Sequence, residues 1–406
     1  MMCTVQRRLP RPREVLSLIG RPDPTRSRLQ RRLDRCATVW DLRRLALHAV
    51  PRAVFDYVDG AAMSETSLRR SREAFRRVEF TPRVLKDVSD IDLSVEMLGR
   101  RTELPFALAP TGFTRMMHHV GEPIVARVAA EHGIAYGLST LGTTSIEDLA
   151  SDSPATRRWF QLYVSRDREQ AEALMRRADA AGYDTLILTV DTAVGGVRPR
   201  EIRNGLTIPP QLSVGTLAEM ALHPSWWFNA LTSKPLEFAT LAHTGGTIGD
   251  LLTRAFDPGV VPDDIAWIRR HWSGKLMLKG VQSIADARLS AELGVDAIVL
   301  SNHGGRQLDM ANVPLELLPN VTREVGQDIE VYLDGGIMSG ADIAAALAFG
   351  ARGVLIGRAY LYGLMAGGYD GVNRVVQILE KELRVTMSLL GATNVSELGE
   401  AHVRLR

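Results

Sequence analysis

The chain has 406 residues, 45% of them apolar and 24% charged, a composition ordinary for a soluble globular protein that can bury a large core. A net charge of +2 gives no general pull towards nucleic acid, and the longest apolar runs are far too short to span a bilayer. Cys3 and Cys36 have no metal-ligand spacing and form no framework of bridges, so the chemistry does not rest on thiols, and a reducing cytoplasm fits.

Residues 1–35 come first. They hold ten Arg against Glu14, Asp23 and Asp34, a local charge of +7, which leaves −5 on the rest of the chain. The segment lacks the apolar stretch of a secretory signal, and Pro10, Pro12, Pro22 and Pro24 would break an amphipathic presequence helix. It reads as a flexible basic tail, with a transit peptide as the alternative. One domain is expected over 36–406, opening with a helical lead-in at 36–103 that contains "TVWDLRRLALHAVPRAVFDYVDGAA".

Eight short, nearly continuous apolar runs follow, at Leu104–Pro110, Ile134–Thr140, Trp159–Val164, Thr185–Asp191, Lys275–Gly280, Ala297–Asn302, Val331–Gly335 and Gly353–Gly357. Helical patterns such as Asp167–Ala181, Ile284–Leu293 and Ala341–Phe349 alternate with them, and Gly182, Gly294 and Gly350 stand where helices should stop. Strands buried on both faces read as continuous apolar runs. Eight such alternations predict an α/β fold, a closed (β/α)8 barrel over 104–406. A doubly wound open sheet is the alternative, but "APTGFTRMMHH" after the first strand lacks the glycine spacing a phosphate loop would need there. One long insertion, about 205–262, separates the fourth strand from its helix Asp264–His271.

In such a barrel the chemistry gathers at the C-terminal strand ends. Those ends carry Pro110, Thr111 and Gly112; Ser139; Gln161 and Tyr163; Thr189 and Asp191, with Arg198 seven residues on. The later strands end in Lys279; Ser301, His303 and Arg306; Asp334, Gly335 and Gly336; and Gly357 with Arg358. The last two ends suit a phosphate: glycines let backbone N–H groups approach the oxygens, and Arg358 adds a two-pronged charge. Tight turns alone would also explain the glycines.

Lys279 stands out because the chain has 44 Arg and only five Lys. A compact ammonium beneath a ring that becomes anionic on reduction would stabilise that charge. Its bland role would be to neutralise Asp191 or Asp334. His303 can act as a general base with Asp191 stabilising its protonated form, while Arg306 and Arg198 can grip a carboxylate. A base, a carboxylate clamp, a phosphate site and a cation for an anionic ring together describe oxidation of a hydroxy acid by a flavin mononucleotide.

The sequence resembles the FMN-dependent L-2-hydroxy acid dehydrogenases and oxidases over about residues 37–400, and bacterial L-lactate dehydrogenases of the quinone or cytochrome type in particular. "SNHGGRQLD" is similar to that family's active-site motif, and "FDYVDGA", "LAPTG", "GLSTLGTTS", "WFQLYV", "LTVDT", "LKGV", "YLDGGI" and "LIGRAYLYG" occur in its order. The resemblance implies that His303 is the base paired with Asp191, that Arg306 and Arg198 hold the substrate carboxylate, and that Tyr57 and Tyr163 contact the substrate. It implies flavin contacts from Lys279, Ser139, Gln161, Thr189, Ser301 and the backbone of Pro110, Thr111 and Gly112. Asp334, Gly335, Gly336, Gly357 and Arg358 would surround the FMN phosphate end.

The same resemblance implies oxidation of a small 2-hydroxy acid, lactate favoured, with electrons passed to a quinone or cytochrome, in a homotetramer. Alternatives are an oxygen-using oxidase or mono-oxygenase, an FMN barrel isomerase or synthase, and a non-catalytic barrel. Met338 departs from the family, which usually has Arg after "DGGI". Trp226, Trp227 and Phe228 in the insertion suit a membrane interface, so peripheral contact with the inner face of the cell membrane is expected, with a lid or a subunit contact as the alternatives.

Overall fold

Runs of apolar residues without polar alternation have no face to offer water, and in the computed structural model they are the inner strands. The structure describes residues 8–9, 11–14, 25–204, 221–244 and 256–406. The strands are β1 Phe106–Leu108, β2 Ala135–Ser139, β3 Arg157–Leu162, β4 Thr185–Thr189, β5 Lys275–Val281, β6 Ala297–Leu300, β7 Glu330–Asp334 and β8 Gly353–Ile356. Each pairs in parallel with the next, and β8 closes on β1 through Val354↔Phe106 and Leu355↔Ala107. That closure makes the fold the expected (β/α)8 barrel and excludes an open sheet. Gly182, Gly294 and Gly350 end their helices with φ of +74°, +71° and +98°, values at which a Cβ would be strained.

The barrel interior is filled by alternate side chains, among them Trp159, Ile187, Met277, Val299, Tyr332 and Leu355, so it is a core and not a pore. Met97 and Leu98 join this cluster from below. They come from a hairpin, Val95–Met97 with Arg100–Thr102, that plugs the N-terminal mouth. The lead-in is therefore only partly helical. Helices Val39–Ala49, Arg52–Asp59 and Thr66–Arg76 occupy its first half, but Val78–Phe80 pairs antiparallel with Val403–Leu405 at the far end of the chain.

The expected tail also needs correction. Ser27 caps a helix, Arg28–Asp34, and the one apolar side chain of that helix facing inward, Leu33, is buried against Gly367 of the long C-terminal helix Arg358–Leu390. Most of residues 1–24 lies outside the described residues, as do 205–220 and 245–255 of the expected insertion.

The described part of the insertion docks on the barrel. Trp226 donates from Nε1 to the Met116 carbonyl at 3.0 Å, and the buried Phe238 packs on Phe113 with ring centroids 4.4 Å apart. Of the aromatic trio, Trp226 is thus an anchor, and Phe228 is the exposed ring.

His118 packs where a Cβ on Gly368 would meet its ring at 2.9 Å. Burial first, and then His119 stacked at 4.5 Å, push its pKa down to about 4. An unfolded chain protonates this His below the ordinary 6.5, while the fold keeps it neutral. Its contribution is therefore fully present above that value and is lost as pH falls from 6.5 towards about 4. His118→Gln should flatten the melting temperature across that window; an unchanged slope would assign the acid loss to other groups.

Candidate active site

The C-terminal strand ends and the N-terminal helices enclose a cavity of about 1160 Å³, larger than most small-molecule sites. Its wall includes Tyr57, Tyr163, Arg198, Lys279, His303 and Arg306. Pro110, Thr111, Gly112 and Ser139 line it from the β1 and β2 ends, and Asp334, Gly335, Gly336, Gly357 and Arg358 from the β7 and β8 ends. Four expected site residues, Asp191, Gln161, Thr189 and Ser301, stand behind this wall.

Those four act through neighbours. The Asp191 carboxylate lies 3.1 Å and 3.3 Å from Nδ1 of His303, with Asp191 only 3% exposed and His303 25% exposed at their side chains. This engages Nδ1 and leaves Nε2 as the nitrogen available on the cavity side. Burial alone would raise the Asp191 carboxyl, but His303 and then Lys279 more than offset it and hold it below the usual carboxylate range. The Ser301 hydroxyl accepts from Lys279 Nζ at 3.1 Å and from the His303 backbone N–H at 3.0 Å, fixing both to one point. Ser139 donates to Gln161 Oε1 at 2.9 Å, and Gln161 Nε2 donates to Thr189 at 3.0 Å, a buried polar row across β2, β3 and β4.

Local backbone explains how these groups converge. β5 bulges between Lys279 and Val281, with Gly280 at φ +108°. A Cβ at Gly280 would lie 2.7 Å from the Asp191 side chain, so glycine there lets the carboxylate sit behind His303. His303 itself has φ +56°, a strained left-handed conformation for a residue with a Cβ. Gly305, at φ +77°, brings the turn against the helix Thr66–Arg76, where a Cβ would meet Leu68 N at 2.8 Å. Asp309 then accepts from the backbone N–H groups of Ser64 and Ser67 and caps that helix. The stretch "SNHGGRQLD" is therefore both a site and a fastening.

Lys279 is buried and lies 3.0 Å from Asp334 Oδ2. Burial alone would lower its ammonium, yet Asp334 and Asp191 overcome this and hold it above its ordinary value. It is a fixed cation on the cavity floor.

Arg306 and Arg198 converge on one atom. Glu201 Oε1 accepts from Arg306 Nη2 at 3.1 Å and lies 3.3 Å from Arg198 Nε. Arg306 is also held by the Tyr57 and Gly60 carbonyls and lies 4.9 Å from the Tyr57 ring centroid. Burial, and then Arg198, lower the Arg306 guanidinium below its ordinary value. Arg200, from the same segment, reaches Asp59 at 3.0 Å and pairs with Glu65, tying the Arg198 loop to the helix that carries Tyr57. Sequence reasoning missed Glu201 and Arg200; the alternation of charges in "RPREIR" was their only signal. It also missed Phe256, whose ring packs edge-on against Tyr163 at 4.9 Å.

Arg358 lines the cavity at the β8 end. Its Nε, Nη1 and Nη2 donate to the carbonyls of Val58, Gly304 and Gly60, each at 2.8 Å, so its charge faces the cavity while these donors hold backbone. Gly335 and Gly336 have φ of +90° and +87° and form a turn open to close approach. Asp334 Oδ1 is a buried acceptor without a partner on that wall, suited to a hydroxyl donor. A floor cation, an orphan acceptor and a glycine turn flanked by Arg358 fit the ring, polyol chain and phosphate of FMN. Bound FMN would be held by Lys279, Asp334, Gly335 and Gly336.

Comparisons with known proteins agree. A family model described as FMN-dependent dehydrogenase matches residues 46–405. A putative L-lactate dehydrogenase of Mycobacterium tuberculosis (strain ATCC 25618 / H37Rv) is 52% identical over 399 residues, covering 98% of this chain and 96% of that relative. An L-lactate dehydrogenase of Caulobacter vibrioides (strain NA1000 / CB15N) is 41% identical over 367 residues, covering 89% and 95%. Among solved structures, the monotopic membrane protein (S)-mandelate dehydrogenase superposes with a TM-score of 0.88 at 36% identity, covering 92% of this chain and all of that one. A mandelate oxidase superposes with a TM-score of 0.79 at 34% identity, covering 91% and 98%.

Proposed function

The chain belongs to the FMN-dependent dehydrogenases and is an FMN-dependent 2-hydroxy acid dehydrogenase, and from that premise we propose that it oxidises L-lactate to the 2-oxo acid and passes the electrons to a quinone or cytochrome. The observation that carries this reading is the His303–Asp191 pair, 3.1 Å apart, beside two guanidiniums that converge on one carboxylate oxygen.

That geometry supports the following roles. Arg306 and Arg198 hold the substrate carboxylate, which fixes the hydroxyl-bearing carbon next to His303. His303 takes a proton from the substrate on Nε2, and buried Asp191 stabilises the imidazolium that results. Tyr57 and Tyr163 keep neutral hydroxyls, because burial raises both phenols, and serve as donors to the substrate. Bound FMN supplies the two-electron acceptor. Lys279 would turn its fixed positive charge toward that cofactor.

Arg306→Lys replaces a two-pronged donor by a point charge and should raise KM for L-lactate about tenfold or more, with slower flavin reduction. Unchanged lactate binding in that variant would mean that the carboxylate is held elsewhere. Phe256 against Tyr163 favours a second reading, an aromatic 2-hydroxy acid. Comparing kcat/KM for L-lactate and L-mandelate separates the two. Reoxidation of the reduced enzyme by a quinone faster than by air supports a dehydrogenase, and the reverse order supports an oxygen-using oxidase.

We further propose a homotetramer, which sedimentation velocity would report, and peripheral contact with the cytoplasmic face of the membrane. No helix among the described residues is long and apolar enough to cross a membrane. Support for surface contact comes from Leu222, Phe228 and Leu231 of the insertion, which are 77%, 58% and 72% exposed. Phe228→Ser with Leu231→Ser should release the protein from anionic vesicles in a sedimentation assay, and salt should weaken the parent's binding. A parent that stays in the supernatant at low salt would leave this face to a subunit contact.

A further inference from the structure

A flavin phosphate carries about −1.5 to −2 at neutral pH and calls for about two positive charges. Arg358 lines the same cavity as the Gly335–Gly336 turn and supplies one, although its Nε, Nη1 and Nη2 already hold backbone carbonyls. Met338 follows this turn and supplies none; its side chain is buried and its N–H donates to Asp342 at 2.9 Å. Around the rim, Arg43 is committed to Asp59 at 2.6 Å and 2.8 Å, Arg200 is bound to Asp59 and Glu65, and Arg76 faces Glu73 at 3.4 Å. Arg69 and Arg70 are exposed on the rim.

Arg72 also pairs with a carboxylate, Asp342, but unlike the others it lies against the glycine turn itself. The helix Thr66–Arg76 presses directly on the turn: a Cβ on Gly336 would meet the Ser71 carbonyl at 2.9 Å. Asn302, at the β6 end, donates to the Ser71 hydroxyl at 3.1 Å, and Asp309 caps the helix start. Arg72, the next residue, lines the cavity. Its Nη1 donates to the Gly336 carbonyl at 2.5 Å and to Asp342 Oδ2 at 2.6 Å. Its guanidinium lies 5.9 Å from the Trp40 ring and 5.6 Å from that of Phe75, and its Nε is buried with no partner. One nitrogen thus anchors the cation to the glycine turn, while a second donor, the buried Nε, has no protein partner.

We propose that Arg72 is the second phosphate-binding cation of this protein, taking from the N-terminal helix the role that residue 338 leaves empty. The inference rests on FMN being held at this turn. A guanidinium fixed in advance by Asp342 and two ring faces loses little freedom on meeting the dianion. It also links cofactor and fold, because the helix that carries Arg72 is capped by the same segment that carries His303.

The test is titration of the apoprotein with FMN and with riboflavin, which lacks the phosphate, followed by flavin fluorescence. Arg72→Met should weaken FMN by about 10- to 100-fold, the range of a charge-assisted contact, and riboflavin by less than about twofold. Arg70→Met should change neither, and adding Met338→Arg to Arg72→Met should restore most of the FMN affinity. Equal weakening of both ligands, or unchanged FMN binding, would reduce Arg72 to a structural tie with Asp342. If Arg72→Met does not fold, Arg72→Lys gives the same reading: a smaller but selective loss of FMN supports the proposal, and parent-like selectivity overturns it. A parent apoprotein that binds riboflavin but gains nothing from the phosphate would instead fault the phosphate site as a whole.

Discussion

His303→Gln should keep the flavin and lose turnover by a factor on the order of 10²–10⁴, the usual contribution of a positioned proton-transfer group. Glutamine keeps a polar side chain of similar reach but cannot take up a proton. The flavin should stay because nothing at the Gly335–Gly336 turn or at Lys279 depends on the imidazole itself; Ser301 bonds the backbone N–H of residue 303, which the variant retains. Asp191→Asn should reproduce much of the loss, since an amide no longer stabilises the imidazolium. Near-normal flavin reduction in His303→Gln would remove His303 from the role of base.

Lys279→Met should have the second largest effect, and it acts on stability and chemistry together. The variant leaves the Asp334 and Asp191 carboxylates buried without their shared cation. Breaking one partner of a buried ion pair costs about 3–5 kcal/mol. It also removes the positive charge from the cavity floor, so flavin reduction should slow by about 10²-fold or more. Lys279→Met with Asp334→Asn separates the two effects. The double variant should recover much of the melting temperature while flavin reduction stays slow. Recovery of both would show that Lys279 serves only to neutralise Asp334.

The barrel was legible because its strands obey a rule that one sequence can display. Thr185–Thr189 and Ala297–Leu300 are apolar without alternation, and Gly182 and Gly294 stop the preceding helices at positive φ. The β-structure of the lead-in was not legible. Val78–Phe80 finds its partner at Val403–Leu405, and three residues are too few to show a period. The helix Arg28–Asp34 was hidden for a different reason: its sequence "RLQRRLD" reads as a charged, solvated run, and a single inward side chain, Leu33, docks it. Likewise "SWWF" could not reveal that Trp226 points to Met116 while Phe228 points to solvent, because helix phase was unknown there.

The site divides in the same way. His303, Arg306 and Lys279 stood out as polar groups at the ends of apolar strands. Arg72 did not, since one Arg in "RRSRE" has no distinguishing feature until the helix is laid on Gly336. Glu201 needed both guanidiniums in place before its position had meaning. Arg358 was recognised as a cation of the site, but its ties to three carbonyls depend on how the lead-in folds back over the barrel.

The central claim is that this cavity couples proton removal at His303 to reduction of bound FMN by an L-2-hydroxy acid. Anaerobic rapid mixing of the purified yellow protein with L-lactate tests it most directly, with D-lactate as the control. L-lactate should bleach the flavin absorbance at a rate that saturates with concentration, D-lactate should not, and His303→Gln should bleach at least about a hundredfold more slowly. A parent whose flavin stays oxidised under L-lactate and L-mandelate, or one that both enantiomers of lactate bleach equally, would contradict it.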